Sequence, residues 1–571
     1  MDKKQVTISI DMHNNNMVVK CSVNAKAYWK EEKIVNDHIL IDMTEMITMW
    51  VLNAVKPVFF QMPFDKIDIV FPHVIKEKYL DVVTNLNAFL QRTNSEIQKY
   101  ANLKKCAKSH DNILFFSVGH EERAMNLYNK MKECEPDKIR YKNFDPGFNG
   151  VKRVWEDSDV PMSVDEFVRY IQTEKIHKIV SINMYMLEKY LNKTGVYMIA
   201  LFEMLGVEYI IMDMDEYDMT PSGYLKKNFL NHASFFRSSH IAWGQRYWDK
   251  RYGMDNVHYS SMPQRFDESR TPQLLNDDYG IMVLTHCRLN TVQPRLNPII
   301  FLLDRMSSDD FFVEVQSWFA SMHYMILHIM GLTELERLYY NGSMVNFFYQ
   351  VTNFLKYEVI HQIQSQRKIK IFGDVGWKTI FPEYYQEQYL TVEEKHRLIQ
   401  ERKHLFLLLN WTHFNTTPCG PFYDVINSNI PFLNYSSLVK SKALSGFNHF
   451  EYNSFEDLNH KIDSVNDIYQ NKDLLDTIKY YKRVINDEQT AIADKILYDR
   501  DIDSYQGEYG RLCKEENQIE KEICLDYINK NEAMLRETFD VLFLGKQIQY
   551  DLASSQYFTR PYVQRIKQAT A

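Results

Sequence analysis

Apolar and polar positions along the chain fall into three regimes. Between Gln5 and Val23, the stretches QVTISIDM and NMVVKCSV flank a turn-forming HNNN, which predicts two paired strands. Apolar and then helical stretches follow as far as Tyr100. From Asn112 the pattern changes to short apolar runs separated by helical segments: ILFFSV (Ile113–Val118), HKIVSI (His177–Ile182), EYIIMD (Glu208–Asp213), HIAW (His240–Trp243) and NVHYS (Asn256–Ser260). Strands alternating with helices predict a parallel sheet with crossover helices. A second series of the same kind runs YGIMVLT (Tyr279–Thr285), IKIFG (Ile369–Gly373), LFLLLN (Leu405–Asn410), IPFLN (Ile430–Asn434) and HFEY (His449–Tyr452). A helical insertion, 306–366, interrupts it, and beyond Ser454 the chain reads as charged helices that could cross back onto the first domain.

Between the two series lies SSMPQRFDESRTPQLLNDD, whose Pro, Arg, Asp and Ser content is that of a linker. The pattern therefore predicts an α/β protein of four regions: an α+β accessory region over 1–110, a parallel α/β unit over 111–265, a second over 279–490 carrying the insertion, and a helical region over 491–571. Ligands of such sheets bind at the carboxyl ends of the strands.

Composition narrows the classes of function. A chain of 571 residues is too long for one core and divides into domains of ~150 residues. With 45% hydrophobic and 25% charged residues it is an ordinary globular chain, and a formal net charge of -8 leaves no basic footprint for nucleic acid. Anionic ligands must then be held by local arginines and helix ends. The seven cysteines show no CxxC spacing, which argues against a zinc site or a disulfide framework and for the cytoplasm. The N-terminal stretch lacks the apolar core of a signal peptide. VQSWFASMHYMILHIMGLT (Val315–Thr333) carries no formal charge but holds Gln316, Ser317, His323 and His328, and reads as a buried or interfacial helix rather than a membrane span. The aromatic residues of the insertion, Trp318, Phe319, Tyr324, Phe347, Phe348 and Tyr349, read as helical core.

Three segments of the second series resemble the donor-binding domain of GT-B glycosyltransferases, in particular the bacterial group 1 and spore-maturation-like members. DVINSNIPFL (Asp424–Leu433) resembles the family's E-A-x-A-x-G-x-P-V signature, with Asp424 at the ribose-binding carboxylate, Pro431 at the proline and Asn429 in place of the glycine. Asn tolerates the left-handed backbone that such a glycine adopts. Gly420 falls near the family's small residue at the start of the same helix, where N–H groups meet the diphosphate. VLTHCRLNTVQPR resembles the strand and G-R-L turn, with Cys287 replacing the glycine and Arg288 and Arg295 as the cations that close on the diphosphate. IKIFGDVGWK resembles the third segment and adds Gly373, Asp374, Trp377 and Lys378 to the donor site.

The resemblance implies two Rossmann-like domains facing a cleft, a nucleotide-diphospho-sugar as donor substrate and no metal or other cofactor, since two cations can stabilise the leaving diphosphate electrostatically. It implies a glycan, lipid-linked or protein hydroxyl as acceptor, and a cytoplasmic enzyme that can sit at the inner face of the membrane. High Lys, Asn, Ile and Tyr usage resembles that of AT-rich bacterial genomes, where such enzymes build surface polysaccharide. The glutamate that many retaining members carry eight positions before the ribose carboxylate is Thr416 here, so the stereochemical outcome stays open. In the first series, His120 is either an acid-base residue past the first strand or a surface histidine. Asp213 is a second candidate base; with Asp215 it also forms the DxD pattern of the metal-dependent GT-A class, or simply a solvated strand end. A non-catalytic sugar-nucleotide scaffold is the remaining alternative.

Overall fold

The N-terminal strands pair as their pattern requires. In the computed structural model, β1 (Gln5–His13) runs antiparallel to β2 (Asn16–Val23), with His13 opposite Asn16, and β2 runs antiparallel to β3 (Lys26–Ile34). β4 (Lys66–Val70) pairs parallel with β1, giving the order β3-β2-β1-β4. The structure describes residues 5–13, 16–23, 26–34, 66–70, 88, 111–117, 122–143, 162–182, 202, 205–213, 233–238, 257–260, 265–292, 296–306, 309–328, 347, 350–387, 390–409, 420–436, 442–498, 508–543, 546–548 and 550–569. The chain divides into two compact units. The first holds 1–238, 245–262 and 331–342; the second holds 239–244, 263–330 and 343–571.

The first unit contains the predicted parallel sheet. Its elements are β5 (Asn112–Ser117), α1 (Glu122–Cys134), β6 (Ile139–Asn143), α2 (Val164–Thr173), β7 (Ile176–Ile182), β8 (Glu208–Asp213), β9 (Ala233–Ser238) and β10 (Val257–Ser260). All neighbours are parallel, in the order β6-β5-β7-β8-β9-β10. Helix α2 begins with a capping box, Ser163 accepting from the Glu166 N–H while the Glu166 carboxylate accepts from Ser163 N–H at 2.8 Å. It ends through Lys175 in the left-handed region, φ 50°. Two strands have no counterpart in the apolar pattern. β6 lies at the sheet edge and carries Arg140 and Lys142, the charged side chains that keep an edge from pairing further. β9 carries only two large apolar residues, Phe235 and Phe236, and the strand expected at His240–Trp243 lies outside the described residues.

The second unit is built on β11 (Gly280–Leu284), β12 (Ile369–Phe372), β13 (His404–Leu408), β14 (Phe432–Tyr435) and β15 (Glu451–Tyr452), all parallel, in the order β12-β11-β13-β14-β15. Beyond β12 a single parallel bridge joins Ile371 to Tyr385, with Gln386 N–H donating to Ile371 O at 2.9 Å. Counting that bridge as a reduced third strand, the order is 3-2-1-4-5-6, that of the doubly wound dinucleotide-binding sheets. The order reverses at β11, so the switch point lies between the carboxyl ends of β11 and β13.

Besides a single helical turn at Leu289–Val292, the described helices of this unit are α3 (Leu296–Leu303), α4 (Phe311–His328), α5 (350–361), α6 (Gly376–Ile380), α7 (Val392–Gln400), α8 (Gly420–Ser428), α9 (Phe455–Ile468), α10 (Lys472–Tyr498), α11 (Glu508–Phe543) and α12 (Pro561–Gln568). The uncharged stretch of the insertion lies largely in α4, whose Val315, Trp318, Phe319, Met322 and Met325 are buried. Ser321 of α4 donates to the Cys524 carbonyl of α11 at 3.4 Å. Among the described residues, no helix is long and apolar enough to cross a membrane. Trp318, Phe319 and Phe347 meet edge to face in this core, while Phe348 and Tyr349 lie outside the described residues. The helices after residue 508 group with the second unit: Tyr562, Val563 and Ile566 of α12 are buried, and Arg565 donates to the Ile380 carbonyl at the end of α6.

The expected linker is likewise built in. In its described part, 265–278, Phe266 is buried and stacks on Tyr423 of α8 at 6.1 Å between centroids. Asparagines on α9 and α10 bind its backbone as a second peptide would. Asn486 accepts from Phe266 N–H at 2.9 Å and donates to its carbonyl at 3.0 Å, and Asn466 does the same for Leu275 at 2.9 Å each way. Lys482 of α10 is buried and donates to Asp267 O (3.2 Å), Asn427 O (3.4 Å) and Asn429 Oδ1 (2.8 Å), its ammonium pushed down to about 8 by burial. The polar composition that suggested a linker belongs to a strap whose backbone at Phe266 and Leu275 is satisfied by side-chain amides.

Candidate functional site

Two of the three donor-site segments predicted from sequence fall at the carboxyl ends of adjacent strands, 285–288 after β11 and 373–378 after β12; the third runs from α8, in the connection from β13 to β14, through the helix stop into β14. One carboxylate fastens the first two. Asp374 Oδ2 accepts from Cys287 N–H at 2.8 Å and lies 3.5 Å from Arg288 N, while Oδ1 accepts from Gly376 N–H at 3.0 Å. The last bond is an Asx turn, the side chain closing on an N–H two residues ahead. His286 Nδ1 lies 3.5 Å from Asp374 Oδ2. Burial pushes the Asp374 carboxyl up, but His286 and the two backbone N–H groups outweigh it and hold the carboxyl below its ordinary value.

One residue expected to bind the donor, Trp377, stands behind this turn. Trp377 is completely buried, its indole N–H donates to Thr285 O at 2.7 Å, and its ring meets Tyr357 edge to face at 5.5 Å. It props the β11 turn and leaves no atom for a ligand. Gly373 is a close-approach glycine, since a Cβ there would stand 2.0 Å from Thr285 O. Lys378 is exposed and paired with Glu387 on the surface. Cys287 is also buried, with Sγ 3.3 Å from the Tyr357 hydroxyl and its thiol pushed up to about 12 by burial, the environment of a packed thiol.

The turn's unusual backbone falls at Arg288, φ 46°, and not at Cys287, so a cysteine where the resembled motif has glycine costs no strain at its own position. Four non-glycine residues are left-handed among the described residues: Lys175, Arg288, Arg402 and Asn429. Lys175, Arg402 and Asn429 each follow a helix, where such a conformation is an ordinary stop. Arg288 alone among them lies past the carboxyl end of a strand, where a strained non-glycine residue points to function.

Helix α8 ends as expected. Asn429 has φ 51°, and its N–H and that of Ile430 return to Ile426 O (3.2 Å) and Val425 O (3.5 Å) in a Schellman stop before Pro431 leads into β14. The asparagine side chain does more than replace a glycine: it donates to Arg270 O and accepts from Lys482, tying the strap to the helix end. Gly420 opens α8. Asp424, one turn in, is mostly buried and paired with Lys395 of α7 at 2.8 Å. Arg295, His120 and Asp215 lie outside the described residues, and Asp213 is the last residue of β8, opposite Arg237 of β9.

Sequence reading missed His286, the exposed member of the 285–288 turn, because its partner Asp374 is 88 residues away in sequence and reaches it only when β12 pairs with β11. No group of three His, Cys, Asp or Glu able to hold a metal ion occurs among the described residues. No family model matches the chain, and no curated protein matches it significantly.

Proposed function

We propose that the chain is a glycosyltransferase of the GT-B class, moving a sugar from a nucleotide-diphospho-sugar to a hydroxyl of a glycan, glycolipid or protein. One observation carries this reading: two of the segments that resemble the donor-binding motifs sit at the carboxyl ends of β12 and β11, and the helix that carries Asp424, α8, starts in the connection from β13 to β14, beside the switch point of a 3-2-1-4-5-6 sheet. In this reading Arg288 and Arg295 neutralise the leaving diphosphate, the start of α8 contributes N–H groups, and Asp424 accepts the ribose hydroxyls. The first unit takes the acceptor, with His120 or Asp213 as its base; the two-domain GT-B arrangement, bacterial cytoplasmic location and peripheral membrane contact belong to the same proposal.

The pairing of Asp424 with Lys395 favours a second reading, a sugar-nucleotide-binding scaffold in which that carboxylate is structural. A thermal-shift screen of nucleotide sugars, followed by donor hydrolysis with and without chelator, separates the readings. Hydrolysis insensitive to chelator is expected. Binding without turnover supports the scaffold, and activity abolished by chelator and restored by manganese supports a GT-A-like site at Asp213 and Asp215. Failure of every nucleotide sugar to bind overturns the assignment.

A further inference from the structure

Every neighbour of His286 in its turn has a structural task. Thr285 O takes the Trp377 indole, Cys287 is packed against Tyr357, and Arg288 carries the left-handed bend. The His286 side chain is 65% exposed, contributes nothing to the core, and still has Nδ1 3.5 Å from Asp374 Oδ2. That carboxylate is itself fixed by backbone N–H groups from both turns. An imidazole whose Nδ1 lies at ion-pair distance from a fixed carboxylate has one further polar atom, Nε2. When neutral, Nε2 presents a lone pair; when protonated, it presents an N–H beside a counter-charge that offsets the imidazolium.

We propose that His286, oriented by Asp374, is a ligand for the diphosphate of the donor and binds it as the imidazolium through Nε2–H. The inference deepens the glycosyltransferase reading and rests on it. The site lies at the carboxyl end of the central strand, beside the cation Arg288, where an anion meets the strand-end turns of a doubly wound sheet. The charged and titratable groups around the imidazole are Asp374 after β12, Arg288 and Cys287 in the same turn, and Tyr357 and Lys356 of α5, which act on Cys287. The Asp374 carboxyl is held low and the Cys287 thiol is pushed up to about 12, so neither changes charge near neutrality. Imidazole is the side chain that ordinarily does. Affinity for a diphosphate should therefore fall as pH rises through neutrality.

The test is titration calorimetry on the full chain. UDP-glucose and GDP-mannose are suitable probes because a pyrophosphate diester neither gains nor loses a proton in this range; inorganic pyrophosphate is measured at one fixed, mildly acidic pH. The wild type should lose about tenfold or more in nucleotide-sugar affinity between about pH 6 and 8.5, the weight of one charge-assisted hydrogen bond. His286→Gln and His286→Asn should both be weaker binders at the lower pH and show no such dependence, with unchanged melting temperatures because the side chain is exposed. His286→Asn retains a donor toward Asp374, so it controls for the integrity of the turn. An equal pH dependence in wild type and variants overturns the inference and leaves the glycosyltransferase reading standing. Pyrophosphate binding that needs His286, with no nucleotide sugar bound, sustains the anion site and removes the glycosyltransferase reading. No binding of either probe class overturns both.

Discussion

The hydroxyl of Tyr562 donates to the carboxylate of Glu358 at 2.6 Å, joining α12 to α5 across 204 residues of sequence. Glu358 is completely buried, and its other oxygen meets Arg560 at 2.9 Å and Gln362 at 2.7 Å. Removing one member of a buried, hydrogen-bonded charge pair leaves the other uncompensated. Arg560→Ala should therefore cost about 3–5 kcal/mol of unfolding free energy. Tyr562→Phe, which removes one hydroxyl and little volume, should cost about 1–3 kcal/mol. Denaturant unfolding of the full chain measures both, and equal small losses would show that α12 is an appendage.

The strap over 265–278 should resist protease with no nucleotide present, since Asn466 and Asn486 occupy its backbone. Asn466→Ala leaves the Leu275 N–H and carbonyl without partners and should cost about 1–3 kcal/mol. Limited proteolysis should then cut near Leu275. Rapid cleavage of the wild-type strap would restore the linker that its composition suggested.

Asp424→Asn should weaken a ribonucleotide diphosphate about tenfold to a hundredfold, the loss of one charge-assisted interaction, while pyrophosphate binds nearly as before. Asp424→Glu should keep most of the affinity. Lys395→Met removes the partner seen at 2.8 Å and should leave ribose recognition in place. If all three variants alter stability and none alters ribonucleotide affinity in calorimetry, the carboxylate serves only to join α7 to α8.

Lys482 gives the second unit an alkaline signature. Burial lowers its folded value to about 8 from an ordinary 10.5, so between those values the unfolded chain holds a proton that the folded chain has lost. Stability should rise with pH across that window, by linkage, and the rise should vanish in Lys482→Met. His404 gives the opposite end. Burial and then the nearby Lys370 lower it to about 4 from 6.5, so stability should fall as pH drops from 6.5 toward 4. Denaturation midpoints at stepped pH, with His404→Gln for comparison, check both slopes.

Strands buried on both faces announced themselves. β8 matches its apolar run end to end, and β5, β7, β11 and β13 depart from theirs by only a residue or two at either end. β6 did not, because at its edge of the sheet it carries Arg140 and Lys142, which break the apolar run. Asn429 was legible as a left-handed stop because backbone conformation is a local property, written in one side chain. Trp377 was misplaced toward the ligand because burial is decided by residues far away in sequence, here Thr285 and Tyr357. His286 escaped notice for the converse reason: a lone histidine acquires meaning only from the carboxylate that the fold brings to it.

The strap also constrains the order of events on the ribosome. Phe266 is made 220 residues before Asn486, the residue that satisfies its backbone. At ~5–20 residues per second, that leaves the segment waiting for roughly ten to forty seconds. An apolar, strand-forming sequence left unpaired for so long would recruit neighbouring chains. The strap carries Asp267, Glu268, Arg270, Asp277 and Asp278, with Pro272 in the middle, the charges and proline that should keep it from pairing before α9 and α10 have been synthesised. Its linker-like composition is then a property of the nascent chain, kept by a segment that the finished protein holds fast.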